Sequence, residues 1–400
     1  MDGHLKKIFT TLIFIAFSVI HSVIVNEISI DSEFTEENIT REYLLFESGR
    51  NYKEKELEHL ITQTKQNLLD TKYYDYVVIK QEKISDKALR IKIKTTKRFQ
   101  IQPGGGWLYL SAKYQNFAGK GIDIYLRAGT EQQFKISVPK IPESIFKLKF
   151  CVSHRFRSDK PEMITDKKIN YRDLRVSFEP GININHHLSW SLGPVYYKYF
   201  TENKYLIFLP DCEYWFDEKI SLRSTWKFSN RNMKETPSSG LYVFLDNEYF
   251  PSEKILSDKL DIRFYKPIYG KTYLLIRGFY YGVNSEAPYP VWQKTRSNNY
   301  ARVNDTPDKV TDFKLLTIEF RYRFSEIYNA VYFEPHIFTD FAAMYLNPPN
   351  IKTENRKTER YGMGGGIKIH NSKLTSVDFN ADVFYSCGKT GFLFRIGKNF

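Results

Sequence analysis

Glu334, His336 and Asp340 fall at even spacing in the stretch FEPHIFTDF. In an extended chain, residues two apart share a face. A carboxylate, an imidazole and a second carboxylate would then project together, a set able to exchange protons or pair with cations. Glu319, Arg321 and Arg323 alternate in the same way in LLTIEFRYRF. Arginines so close to carboxylates point to structural ion pairs more than to catalysis. His186 and His187 are adjacent, but no carboxylate-histidine spacing surrounds them and no metal site is expected. The glycine runs Gly104–Gly106 and Gly364–Gly366 lack the Lys-Ser/Thr and the helix that a phosphate cradle needs. No Gly-x-Ser-x-Gly elbow occurs. The reading is a non-enzyme with no catalytic residues, cofactor or metal. One short stretch, IRGF at Ile276 to Phe279, remains to be placed.

The elements that carry these residues have two different periods. The first 22 residues read as a signal peptide, with a basic start (MDGHLKK) and an apolar run (IFTTLIFIAFSVI) too short to span a bilayer. Residues 23–97 read as a small α/β domain in the order strand, helix, helix, strand, strand. Thr35 is the expected cap of a first helix over 35–46, and Leu57, Leu60, Ile61 and Leu68 share a face of the second. From residue 98 to 400 the period is two. FKLKFCVSH sets Phe146, Leu148, Phe150 and Val152 against Lys147, Lys149, Cys151 and Ser153. About 16 such segments of roughly 10 residues follow one another, among them 104–114, 205–217 and 390–400, the length of a tilted membrane strand. The fold class expected is mainly β: a 16-stranded antiparallel transmembrane barrel behind one α/β domain. In that register the long connections near 284–313 and 346–359 share one end, and His186-His187 falls in an outer turn. The net charge of +13 comes without a Lys/Arg block, so no nucleic-acid partner is expected. Cys151, Cys212 and Cys387 form no disulfide framework.

The order of the first domain, with SGRNY before its second helix and LLDTKYYDYVVI after it, resembles a POTRA domain. POTRA domains precede outer-membrane barrels of the BamA/TamA and two-partner-secretion superfamily. YQNFAGKGIDIYLRAG resembles the first outer hairpin of that family, and RYGMGGGIKIH its Gly-rich fourteenth strand. The C-terminal TGFLFRIGKNF, ending in Phe400, resembles a barrel-assembly signal. In the family an Arg-Gly-aromatic motif on the sixth outer loop meets an aspartate of the thirteenth strand in a Phe-x-Asp setting. Phe338 and Asp340 match that setting. Arg277 of IRGF matches the motif by letters but lies within an alternating strand. Arg302, in NNYARVNDTPDK and 17 residues before Glu319 of the Glu-x-Arg pair Glu319 and Arg321, stands where the resemblance places the loop arginine. Val303 and Asn304 replace the family's glycine and aromatic.

The resemblance implies an outer-membrane protein that inserts β-barrel proteins or translocates polypeptides. Its partners would be unfolded outer-membrane or exported polypeptides and the lipid bilayer, with periplasmic chaperones or accessory lipoproteins as further candidates. The client would add to a strand edge beside the groove formed by residues 35–46 and 74–81. A lateral seam would pair the first strand, which Gly104, Gly105 and Gly106 begin, with the last, which carries Gly391, Gly397 and Phe400. The alternatives are a passive porin-like pore, a two-partner secretion exporter, which usually carries two POTRA domains and a plug helix, and a soluble enzyme on a β scaffold.

Overall fold

The computed structural model describes residues 22–32, 35–70, 74–85, 88–97, 101–106, 109–117, 120–129, 131–141, 144–159, 169–185, 187–201, 208–209, 212–213, 218–231, 237–284, 293–294, 302–303, 309–324, 331–346, 356–371 and 377–396. Of the stretch read as a signal peptide, residues 1–21 lie outside them. The chain divides into two compact units, Met1–Gln100 with Ala118–Gly121, and Ile101–Phe117 with Ile122–Phe400.

The first unit runs β1 (Ser22–Ser32), α1 (Glu37–Arg41), β2 (Asn51–Lys53), α2 (Glu54–Asp70), β3 (Tyr74–Ser85) and β4 (Ala88–Lys97). Its sheet has the order β2-β1-β4-β3. β1 and β4 are parallel, as a crossover through helices allows, and the short β3–β4 connection makes that pair antiparallel. Leu57 and Leu68 of α2 are buried against Val25, Val77, Ile91 and Ile93, with Leu60 and Ile61 packed alongside. α1 is shorter than the expected 35–46. Thr35 is not its cap: Glu36 holds that position and makes no side-chain cap bond. Tertiary contacts end the helix early, because Phe46 is drawn into the core and the Leu45 amide donates to Thr64 Oγ1 of α2. β2, which has too few residues to show a period, forms by pairing with β1.

The second unit is a sheet whose described strands run β5 (Ile101–Gly106), β6 (Tyr109–Phe117), β7 (Ile122–Gly129), β8 (Glu131–Val138), β9 (Phe146–Asp159), β10 (Ile169–Asn183) and β11 (Leu188–Thr201). A two-residue hairpin, β12 (Phe208–Leu209) and β13 (Cys212–Glu213), stands apart from it. The sheet continues with β14 (Glu218–Ser229), β15 (Gly240–Phe250), β16 (Ile255–Tyr269) and β17 (Thr272–Val283). A second small pair, β18 (Gln293–Lys294) and β19 (Lys309–Val310), lies in the next connection. β20 (Asp312–Tyr322), β21 (Val331–Leu346), β22 (Arg356–Asn371), β23 (Val377–Ser386) and β24 (Lys389–Ile396) complete the order. Sixteen strands are hydrogen-bonded in sequence order from β5 to β24, all antiparallel.

Two boundaries differ from the sequence reading, and their effects on the strand number cancel. Residues 104–114 are not one strand but the end of β5 and most of β6. β5, with three glycines and a proline in six residues, has no hydrophobic alternation to read and exists through its ladder to β6. Of residues 205–217 the described ones, 208–209 and 212–213, pair with each other and not with the large sheet. The apolar run of that stretch is interrupted in sequence by Pro210-Asp211, types that disfavour a continuous strand, and β12 pairs with β13. The shift also reverses two ends. β6 ends and β7 begins, and β10 ends and β11 begins, at the end of the sheet where β5 begins, not at the end where β17 runs into the long connection to β20. Gly104–Gly106 therefore close β5 instead of opening it.

The sheet's two faces invert the usual rule for a protein in water. Ile337, Met363 and Phe392 are 64, 60 and 70% exposed, while Glu334, Asp340 and Asp382 are fully buried. Along β20 the exposed set is Leu316, Phe320 and Tyr322, and the buried set is Thr317, Glu319 and Arg321. Among the described residues no helix is long and apolar enough to cross a membrane, which says nothing of strands.

Candidate functional site

The long connection between β17 and β20 returns to the buried face of the sheet at Arg302. Its guanidinium is bound bidentately by Asp340 of β21, with Nε 2.9 Å from Oδ2 and Nη2 3.0 Å from Oδ1. The Arg302 backbone amide donates to the same Oδ2 at 2.8 Å, so one carboxylate fixes both the side chain and the chain path. Nη1 donates to Glu319 Oε2 of β20 at 3.1 Å and lies 3.9 Å from Asp382 Oδ2 of β23. The Phe338 ring stacks under the guanidinium, 3.3 Å from its centroid. Two carboxylates and an aromatic face thus compensate the desolvation of one buried cation.

The strands that hold this site do so by alternation. Thr317, Glu319 and Arg321 share the buried face of β20, and Glu334, His336, Phe338 and Asp340 that of β21. Arg321 pairs with Glu319. Glu334 accepts from Arg323 Nε at 2.6 Å and from Tyr273 Oη at 2.9 Å. His336 Nε2 is 2.8 Å from Asp382 Oδ1, whose other oxygen accepts from Asn380 at 2.8 Å. Every acid of the apparent proton-exchanging trio is occupied by a cation or a hydrogen bond. Among the described residues no His, Cys, Asp or Glu group could hold a metal ion.

Glycines of β22 make the approach possible. Gly362 is opposite Asp340, and a Cβ there would lie 2.0 Å from the Arg302 carbonyl oxygen and 3.2 Å from Val303. Gly366 separates His336 on β21 from Asp382 on β23, and a Cβ there would lie 2.3 Å from Asp382 Oδ1. Further along the face, Val303 and Val310 of the connection pack on Phe279, Tyr281, Phe313, Leu315, Ala342 and Met344. An apolar collar and an ion cluster therefore grip the same connection at two places.

Arg277 belongs to a different group. It lies in β17, buried, and donates to Asp261 of β16 at 3.1 and 2.9 Å, an acid it shares with Arg263. Gly278 of the same IRGF stretch faces the exposed side, between Ile262 and Leu316. Of the residues named for a seam, Gly104, Gly105 and Gly106 pair with Ser111, Leu110 and Tyr109 of β6. Gly391 pairs with Phe384 of β23, whose ring lies against it. Gly397 and Phe400 lie outside the described residues. Asp382, Asn380 and Gly362 escaped the sequence reading. The first two alternate with Phe379, Ala381 and Val383 in VDFNADVFYS, which was the available signal.

The chain matches no protein-family model and no curated protein. Solved structures do match. A BamA of Haemophilus ducreyi lacking POTRA domains 1–3 aligns over 94% of this chain and 84% of its own, with TM-score 0.56 and 15% identity. CdiB of Acinetobacter baumannii aligns over 94 and 74%, with TM-score 0.54 and 12% identity. CdiB of Escherichia coli aligns over 94 and 76%, with TM-score 0.57 and 8% identity. The fold is that of BamA and CdiB. At these identities the likeness speaks for the architecture, and BamA and CdiB differ from this chain at most positions.

Proposed function

We propose that this chain is an outer-membrane β-barrel of the POTRA-barrel superfamily that assembles or translocates β-rich polypeptides. Residues 23–97 would be one periplasmic POTRA domain, and residues 98–400 a barrel closed between β5 and β24. The observation that carries the reading is Arg302: a connection of the eleventh and twelfth sheet strands anchors its arginine on an aspartate of the thirteenth, the relation the family resemblance implies. The inverted burial supports the membrane setting, since apolar side chains at that exposure need hydrocarbon around them and buried charges need a polar interior. β3 is an edge of its sheet, so a client strand could add to it by backbone hydrogen bonds. The groove strand near 74–81 is the third strand of that sheet in chain order, because β2 precedes it. A seam between β5 and β24, poor in side-chain contacts where glycines fall, would open more easily than other pairs.

Depletion in the native cell, followed by a census of outer-membrane proteins, tests the proposal. Loss of many barrel proteins supports an insertase. The likeness to CdiB favours a second reading, an exporter, for which one secreted partner would vanish while the barrel proteins stay. Unchanged levels of both, with steady anion-biased conductance in planar bilayers, would leave a passive pore and refute both.

A further inference from the structure

The exposed face of the sheet carries a hollow at Gly278, the glycine of IRGF. An added Cβ there would meet nothing within 4 Å. Two neighbouring rows of side chains border it. One runs across the strands from Ile262 through Gly278 and Leu316 to Tyr361. The next, nearer the long connection, runs from Leu260 through Tyr280 and Lys314 to Glu359. The groove they border has a volume of about 490 Å³, within the roughly 300–1,000 Å³ of small-ligand sites. Tyr280 leaves it open by leaning over Gly282, where a Cβ would lie 2.1 Å from Tyr280 Oη. Phe341 and Tyr361 meet edge to face at 5.5 Å and stiffen the opposite wall.

We infer that this groove seats one phospholipid of the surrounding membrane, with an acyl chain over Gly278 and the phosphate on Lys314.

The floor selects an apolar body. Backbone amides and carbonyls beneath it are paired in the ladders of β16, β17 and β20, so a ligand finds no hydrogen bond there and gains only by burying hydrocarbon. The rim selects the headgroup. The Lys314 side chain is 55% exposed, and its ammonium is 3.7 Å from Asp312 Oδ1. An exposed ion pair of that length holds little, and the ammonium has three donors, so a phosphate oxygen can share it. The rings of Tyr345 and Tyr280 lie 5.1 and 5.9 Å from the same ammonium. A lysine among tyrosines, two residues from the end of β20, is the chemistry of the headgroup boundary. A plain apolar face is wetted by lipid without fixing any; a hollow with a cation at its rim holds one chain in place. IRGF then serves both faces of β17, with Arg277 bonded to Asp261 inside and Gly278 making room outside.

The test is native mass spectrometry of the full chain, carried in non-ionic detergent, after incubation with phosphatidylglycerol or with diacylglycerol of the same chains. One retained phosphatidylglycerol per chain is expected, held more tightly than diacylglycerol. Gly278→Leu puts its side chain into open space and should weaken retention of both lipids about tenfold or more. Lys314→Gln should weaken phosphatidylglycerol about tenfold and leave diacylglycerol unchanged. No stoichiometric lipid species, equal retention of the two lipids, or retention untouched by Gly278→Leu overturns the inference. A dimer that Gly278→Leu dissolves would give the groove to a second copy and also overturns it. The inference rests on the membrane reading. That reading fails separately, if the chain stays folded and monomeric without any amphiphile.

Discussion

Gly362→Ala is the sharpest perturbation of the Arg302 site, because it removes no charge and no hydrogen-bonding group. The added carbon would sit 2.0 Å from the Arg302 carbonyl oxygen, where ordinary contact begins near 3.4 Å. The obstructing atom is backbone, so no side-chain rotation relieves it. The connection must lift by roughly the difference, more than 1 Å, taking Arg302 with it. Bonds now at 2.9 and 3.0 Å to Asp340 would then exceed hydrogen-bonding distance. Separating a buried ion pair of this kind costs about 3–5 kcal/mol, less what the collar at Val303 and Val310 retains. A net loss of about 3 kcal/mol would raise the released population roughly 100-fold. Trypsin cleavage at Arg302 in the protein reconstituted in lipid reads that population directly when opening and closing are fast. Wild-type protein should resist cutting there, and Gly362→Ala should be cut about two orders of magnitude faster while its far-UV circular dichroism shows the sheet still folded. Equal cleavage rates would refute the argument that Gly362 exists to admit the Arg302 backbone.

Asp340→Asn keeps the shape but removes the charge, and should release the same connection at a cost of about 3–5 kcal/mol, seen as trypsin sensitivity at Arg302. Arg277→Ala should leave that protection unchanged while destabilising the sheet by a few kcal/mol through Asp261, measured as a lowered unfolding midpoint in urea; loss of protection would mean that Arg277 holds the connection after all. Burial raises the Tyr74 phenol above its ordinary value despite the Thr40 hydrogen bond at 2.7 Å. Its neutral form is therefore favoured in the folded unit. The stability this contributes is complete below the unfolded value near 10 and declines as pH rises through the higher folded one. Hydrogen exchange at β3 and β4 of the full chain should accelerate above pH 10 beyond its intrinsic base dependence, and Tyr74→Phe should remove that excess. In buffer without amphiphile the processed chain should aggregate, since residues such as Phe392 and Ile337 would face water; a monodisperse folded species by light scattering would contradict the barrel reading.

Alternation was legible because it depends only on neighbours two apart. The faces of β20 and β21 could be read from LLTIEFRYRF and FEPHIFTDF, and with them the meeting of Glu319 and Asp340 on one side. α2 was legible for the same reason at its own period. The sequence also carried the distinction between Arg277, inside an alternating strand, and Arg302, inside a long connection. What it could not carry was anything set by partners distant in the chain. β5 has no pattern of its own and is a strand through β6, whereas the described residues of the patterned stretch 205–217, 208–209 and 212–213, pair only with each other. α1 stops where α2 and the core pull Leu45 and Phe46 away. Gly362 and Gly366 read only as weak strand residues, since the carbonyl and carboxylate that need their missing side chains arrive from elsewhere. Local periodicity decided which side each residue faces; only the tertiary structure decided what it meets there, because contact across strands is fixed by register and not by spacing along the chain.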